Sequence, residues 1–165
     1  MANDNWLSPP DVIRRACLTM GGIDLDPCAH PAYWWWTRAS YHYTPDRSAI
    51  TRPWHGRVYM NPPYSNRNVG LFVESLMSGL TRSVTQAVVL VNNGTDTRWG
   101  QSLLRRADAV CFPKRLAYID PRTLLPCRGN RYAQMICYFD ARMCNEQKQG
   151  RVAFLRYFED MGPIR

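Results

Sequence analysis

Residues 57–64 read Arg57-Val58-Tyr59-Met60-Asn61-Pro62-Pro63-Tyr64. The run Val58-Tyr59-Met60 predicts a strand over 57–60, and two consecutive prolines must stop it. Working outward, Val69, Phe72, Val73 and Leu76 recur at helical spacing and predict a helix over 68–79. Residues 86–91 (Gln-Ala-Val-Val-Leu-Val) are a continuous apolar run, the pattern of a strand buried on both faces. A helix over 96–106 follows, with Trp99, Leu103 and Leu104 inward. Strands are expected over 109–112, 116–119 and 133–139, the last two antiparallel, and a helix over 152–161. On the other side of the motif lies a helix over 9–19, with Ser8 as its cap and prolines in its first turn. Gly21-Gly22 ends it, and a strand follows over 23–27. Residues 28–56 have weak periodicity and read as loop with room for a short helix. Strands alternating with helices predict an α/β sandwich, its sheet mostly parallel with an antiparallel edge.

At 165 residues the chain is long enough for one domain with its own core, with no linker, repeat or low-complexity tract. Lys and Arg number 21 against 13 Asp and Glu, a net charge of +8. That balance suits a polyanionic partner, nucleic acid first, and fits a merely soluble basic protein less specifically. Cysteines stand at 17, 28, 111, 127, 137 and 144, with no Cys-x-x-Cys pair, and His30, His42 and His55 share no ligand spacing. No metal site is expected. Met1 leads into polar residues rather than a leader, and no apolar run could span a membrane. A cytoplasmic protein with reduced thiols is the expectation.

Asn61-Pro62-Pro63-Tyr64 at the end of a strand is where an α/β domain keeps its site. An exocyclic aromatic amine is a poor nucleophile, because its lone pair is delocalised into the ring. A site that accepts hydrogen bonds from the amine returns that pair to nitrogen. The Asn61 side-chain carbonyl and the Pro62 backbone carbonyl are suitable acceptors. Pro62 and Pro63 hold them rigidly in place, and Tyr64 offers a face on which a base can stack. The plainer reading of the same string is a polyproline turn between strand and helix.

Upstream, Ile23-Asp24-Leu25-Asp26-Pro27-Cys28-Ala29 places two carboxylates at a strand end. Asp24 and Asp26, on one strand face, could take an ammonium or ribose hydroxyls, and Pro27 shapes the tip. S-adenosyl-L-methionine carries both groups and a sulfonium charge. A capped turn or a magnesium site are the other readings. Ser8 and Pro9 precede the first helix, whose amides could face a carboxylate, or Ser8 simply caps it. Between 33 and 57, Tyr33, Trp34, Trp35, Trp36, Tyr41, Tyr43 and Trp54 interleave with Arg38, Arg47, Arg52 and Arg57. These side chains suit DNA contact, or the tryptophans wall a cofactor or fill the core. Asp46 could accept from the cofactor's adenine amine. Arg122, Arg128 and Arg131 flank a loop that either reaches a groove or is solvated.

Taken together, Trp6-Leu7-Ser8-Pro9, Asp24-Leu25-Asp26-Pro27, Trp54-x-Gly56-x-Val58 running into Asn61-Pro62-Pro63-Tyr64-Ser65, Val88-Val89-Leu90-Val91, Thr95-Asp96-Thr97-x-Trp99 and Lys114-Arg115-Leu116-Ala117-Tyr118 form an ordered set over about residues 5–125. In it the chain resembles the phage-type DNA N-6-adenine methyltransferases. The resemblance implies a compact Rossmann-like methyltransferase sandwich using S-adenosyl-L-methionine, with DNA as partner. It further implies adenine N-6 methylation, phage origin with the host cytoplasm as location, and a place beside restriction–modification systems. The Asp-Leu-Asp-Pro element then belongs to the cofactor and the Asn-Pro-Pro-Tyr element to catalysis. The chain departs from the family in having Ser8 for threonine and His30-Pro31-Ala32 where a glycine-rich loop is usual. It also shows no large target-recognition domain. Methylation of another planar amine (cytosine N-4 or an RNA adenine) and a non-catalytic DNA-binding relative are the competing expectations.

Overall fold

The computed structural model describes residues 6–44, 49–64, 68–127 and 131–165. Among the described residues, eight strands and four α-helices run in the order α1 (Pro10–Met20), β1 (Leu25–Asp26), β2 (Tyr41–His42), β3 (Gly56–Met60), α2 (Asn68–Leu80), β4 (Val84–Asn92), α3 (Arg98–Arg106), β5 (Ala109–Cys111), β6 (Tyr118–Ile119), β7 (Pro126–Cys127), β8 (Gln134–Asp140) and α4 (Cys144–Phe158). Six strands form one sheet in the order β2-β1-β3-β4-β8-β5. The pairs β2–β1, β1–β3 and β3–β4 are parallel, while β8 runs antiparallel to both its neighbours. The sheet is therefore mostly parallel, with its antiparallel pairing gathered toward the β5 edge. β6 and β7 form a separate antiparallel hairpin.

Alternation along the central strands divides the core between the two faces of the sheet. Val58, Met60, Ala87, Val89, Val91, Met135 and Cys137 pack with Val69, Phe72, Val73 and Leu76 of α2 and Leu103 of α3. Tyr59, Val88, Leu90, Ile136 and Tyr138 face the other way, onto Val12, Ile13 and Ala16 of α1 and Phe154 and Phe158 of α4. Two helices thus cover each face, and β4 is buried on both, as its unbroken apolar run requires.

Several boundaries differ from the sequence reading, each for a local reason. The strand expected over 23–27 shrinks to Leu25–Asp26, because Asp24 bends away to meet Arg57. Helix α1 starts at Pro10 with Pro9 as its N-cap and no side-chain cap, so Ser8 sits one residue too early to cap it. Helix α4 begins at Cys144 rather than 152, since its first two turns are polar and exposed and carry no apolar period. The described residues of the stretch 28–56 include the short 3-10 turns Pro31–Tyr33 and Ala49–Thr51 and the edge strand β2.

Arg57 ties the start of β3 to the end of α1. Its guanidinium donates to Asp24 Oδ1 at 2.6 Å and Oδ2 at 2.9 Å, and to the Gly21 carbonyl at 2.6 Å. Gly21 itself ends α1 in the left-handed region, φ 77°. Gly56 has φ 65°, and a Cβ there would stand 2.5 Å from Asp24 Oδ2. Backbone strain and that clash act together, so Gly56→Ala should lower stability by about 2–3 kcal/mol in a urea titration.

Candidate active site

β1 and β3 are parallel neighbours, with Leu25 opposite Val58. Their carboxyl ends therefore point the same way and open onto one cavity of about 240 Å³. Asp26 and Asn61 both line it.

Asp26 is buried. Its Oδ1 accepts from the Cys28 backbone N–H at 2.9 Å and its Oδ2 from the Thr37 hydroxyl at 2.8 Å. Burial raises its pKa to about 6, with those two hydrogen bonds pulling the other way. No Lys or Arg is among the described residues that line the cavity. The neighbouring Cys28 thiol is pushed far up by burial and then by the Asp26 charge.

Asn61 is held by the amino-terminal segment. Its Nδ2 donates to Ser8 Oγ at 3.1 Å and to the Trp6 carbonyl at 3.5 Å. A backbone carbonyl can only accept, so the amide's NH₂ must lie on that side and Oδ1 on the other. The Trp36 indole N–H donates to the Ser8 carbonyl at 2.9 Å and fixes the residue that fixes Asn61. The Tyr64 hydroxyl lies 3.4 Å from Asn61 Oδ1, from the Leu90 carbonyl and from the Tyr118 hydroxyl. Burial raises the Tyr64 and Tyr118 phenols, Tyr118 to about 12, so both stay neutral donors at neutral pH. Tyr59 lines the cavity, and its buried hydroxyl, with Ser8 nearby, makes no hydrogen bond of good geometry among the described residues.

The expected residues are sorted by this geometry. Ser8, Asp26, Pro27, Asn61 and Pro63 line the cavity; Pro9, Asp24, buried Pro62 and half-buried Tyr64 are not among its lining residues. Asp46 lies outside the described residues, as do Arg47, Ser65 and Arg128. Two expectations need correction. Ser8 does not cap α1, because its hydroxyl accepts from Asn61. Asp24 does not share a site with Asp26: Arg57 claims both its oxygens and holds its carboxyl below the ordinary carboxylate value. The two carboxylates diverge and cannot grip one magnesium ion.

Sequence reading missed Thr37, Tyr59 and Tyr118. Tyr59 was accessible by strand parity, since it lies on β3 two residues before Asn61, which follows that strand. Thr37 carried no local signal, and Tyr118 stood only within the motif Lys114-Arg115-Leu116-Ala117-Tyr118, with no role read for it. The tryptophans separate into the different roles left open for them. Trp54 is core, Trp36 walls the cavity, and Trp34 and Trp35 remain about half exposed.

The sequence matches the family model described as DNA N-6-adenine-methyltransferase (Dam) over residues 1–154. The chain belongs to the Dam family of DNA N-6-adenine methyltransferases. Among curated proteins, no relative matches it. The mixed α/β sheet, parallel through β1, β3 and β4, agrees with a methyltransferase fold. No described helix of this Dam-family chain is long and apolar enough to cross a membrane.

The buried carboxylate gives the site a measurable pH signature. Folding raises the pKa of Asp26 from 3.8 to about 6. The folded state therefore takes up a proton before the unfolded state does, and stability rises as pH falls from about 7 toward 4. A gap of about two pH units corresponds to about 3 kcal/mol at neutral pH. Asp26→Asn should thus be more stable than wild type at pH 7.5, with the difference shrinking toward zero by pH 4.5. Thermal melts of both proteins across that range test it; a constant difference would count against a strained buried charge.

Proposed function

We propose that this Dam-family chain transfers a methyl group from S-adenosyl-L-methionine to the N-6 amine of adenine in DNA, with Asp26 serving the cofactor and Asn61 the amine. The observation that carries the reading is that Asn61 and Asp26, thirty-five residues apart, line one cavity.

The donor set suits the cofactor. A buried carboxylate among aromatic walls, with no Lys or Arg among the described residues lining the cavity, favours a cationic ligand. Asp26 would take the ammonium or ribose end, with Pro27 shaping the tip. Trp36 and Tyr43 would bound the apolar parts, and the buried Tyr59 hydroxyl would be in place to gain a hydrogen bond. Ser8 lines the cavity too, but its hydroxyl is directed to Asn61. Pro9 and Asp24 are left to the fold, and Asp46 remains a candidate for the adenine end. When bound, S-adenosyl-L-methionine supplies an electrophilic methyl group.

The protein's own residues prepare the amine to receive it. With NH₂ pinned toward Ser8 and Trp6, Asn61 presents Oδ1 as an acceptor for one amine proton. The Pro62 carbonyl accepts the other. Both acceptors are set before the substrate arrives, because consecutive prolines leave the backbone little freedom. The hydrogen bonds draw the lone pair out of the ring. Tyr64 offers its ring to the base, and its hydroxyl must give up Asn61 Oδ1 to the incoming amine. No strong base is required beside Asn61, since the nitrogen loses its proton readily once alkylated.

The basic charge of the chain favours nucleic acid, and the family favours DNA and adenine over cytosine or RNA. Phage origin and a part in restriction–modification rest on the motif resemblance alone. Methyl transfer from tritiated cofactor to DNA, RNA and protein, followed by nucleoside analysis, tests the reading; label in N-6-methyladenine of DNA is expected.

Asn61→Ala should lower kcat by about a hundredfold or more, as loss of a fixed acceptor does, with cofactor affinity within about twofold of wild type. Ser8→Ala, which frees the amide to rotate, should lower kcat about tenfold without raising KM, and Ser8→Thr should restore it. Steady-state kinetics with calorimetry on S-adenosylhomocysteine reads both effects. Wild-type turnover in Asn61→Ala refutes the role given to that residue.

A further inference from the structure

The β6–β7 hairpin stands apart from the main sheet, and its location is set by the site. Leu7 and Ile119 exchange both backbone hydrogen bonds, at 3.1 and 3.0 Å. The Tyr118 hydroxyl lies 3.4 Å from that of Tyr64, three residues beyond Asn61. The hydroxyl of cavity-lining Tyr33 donates to the Pro121 carbonyl at 2.8 Å. Three contacts thus root the hairpin beside the cavity.

Its turn is ordered by its own hydrogen bonds. The Asp120 carbonyl accepts from Leu124 N–H at 2.7 Å, and its side chain accepts from Arg122 N–H at 2.9 Å. The Asp120 N–H donates to the Leu125 carbonyl at 3.0 Å. This network holds Leu124 at φ 57°, a conformation that disfavours a side chain. Yet the two residues carried there are leucines, 45% and 64% exposed. A glycine would relieve the backbone, and a polar residue would suit the solvent. Two large apolar side chains at a strained, exposed and rigid turn serve neither stability nor solubility.

Charge and location identify what meets them. Between 114 and 132 the described residues include Lys114, Arg115, Arg122 and Arg131 against the single carboxylate of Asp120. Arg122 is ion-paired with Asp120 at 2.7 Å and keeps its side chain largely exposed. Through Tyr33, Leu7 and Tyr64 the hairpin borders the cavity that a base would have to enter to reach Asn61. Apolar wedges inserted between base steps unstack them, and a base must leave the stack to reach an enclosed site.

We propose that the β6–β7 turn enters the duplex beside the target base, Leu124 and Leu125 taking the place in the stack that the extruded base vacates. This rests on the reading of the substrate as DNA given above. Single-stranded DNA needs no such help, so the wedge acts on duplex substrate alone.

The test compares wild type with Leu124→Gly/Leu125→Ala on a duplex of mixed sequence and on its separated strands, using tritiated cofactor. Thermal melting and light scattering are run on the same samples. The variant should lose about tenfold or more in kcat/KM on duplex and stay within about twofold on single strands. Its melting temperature should be no lower than wild type, since glycine relieves the left-handed position. Equal activity on duplex overturns the wedge alone, and so does an equal loss on both substrates. A change of oligomeric state in the variant also overturns it, because the leucines then serve a protein contact. Wild type that methylates only single strands removes the wedge and leaves the methyltransferase reading standing. Wild type that methylates no DNA refutes that reading, and the wedge with it.

Discussion

Leu25 lies opposite Val58, and from that single register the site follows. Parallel neighbours end on the same side of a sheet, so whatever follows β1 and whatever follows β3 must share a space. Asp26 closes the first strand and Asn61 follows the second. Had the strands paired antiparallel, the carboxylate and the amide would stand at opposite ends of the sheet. The pairing is reinforced away from the site by Arg57, which bonds Asp24 and the last carbonyls of α1. This ion pair thus supports the same strand pairing that brings Asp26 and Asn61, the two residues proposed to act, to one cavity.

Orientation is as much a part of the site as location. An asparagine at a strand tip could present either end of its amide. Trp6 settles which, because its backbone carbonyl can only accept and so takes the NH₂, with the Ser8 hydroxyl accepting beside it. Trp36 in turn anchors Ser8 from the aromatic segment. Residues 6–8 and, through Ser8, Trp36 thus fix one side chain from stretches far apart in the chain. Asp26 illustrates the opposite economy. Its burial among Thr37, Cys28 and aromatic walls keeps a charge uncomfortable in the free protein, which a cationic ligand would relieve.

Much of the architecture was legible from local pattern. The apolar run at 86–91 had to be a doubly buried strand, and it became β4 at the centre of the sheet. The spacing of Val69, Phe72, Val73 and Leu76 had to make one face of a helix, and all four pack into the same half of the core. Less was legible where a partner lies distant in sequence. Asp24 and Asp26 are chemically alike and two residues apart, so alternation put them on one face; only Arg57, on another strand, pulls the first away. Helix α4 hid its opening turns because polar exposed residues leave no period to read.

Asn-Pro-Pro-Tyr at a strand's end, strands alternating with helices, and an excess of positive charge needed nothing beyond residue order. They are local or additive properties, and short-range sterics and hydrophobic periodicity suffice to express them. Which aspartate faces the cavity, which way the Asn61 amide points, that Ser8 serves Asn61 rather than α1, and that β8 slips between β4 and β5 belong to tertiary structure. Each is a competition between partners dozens of residues apart, and only the packed chain brings the competitors together.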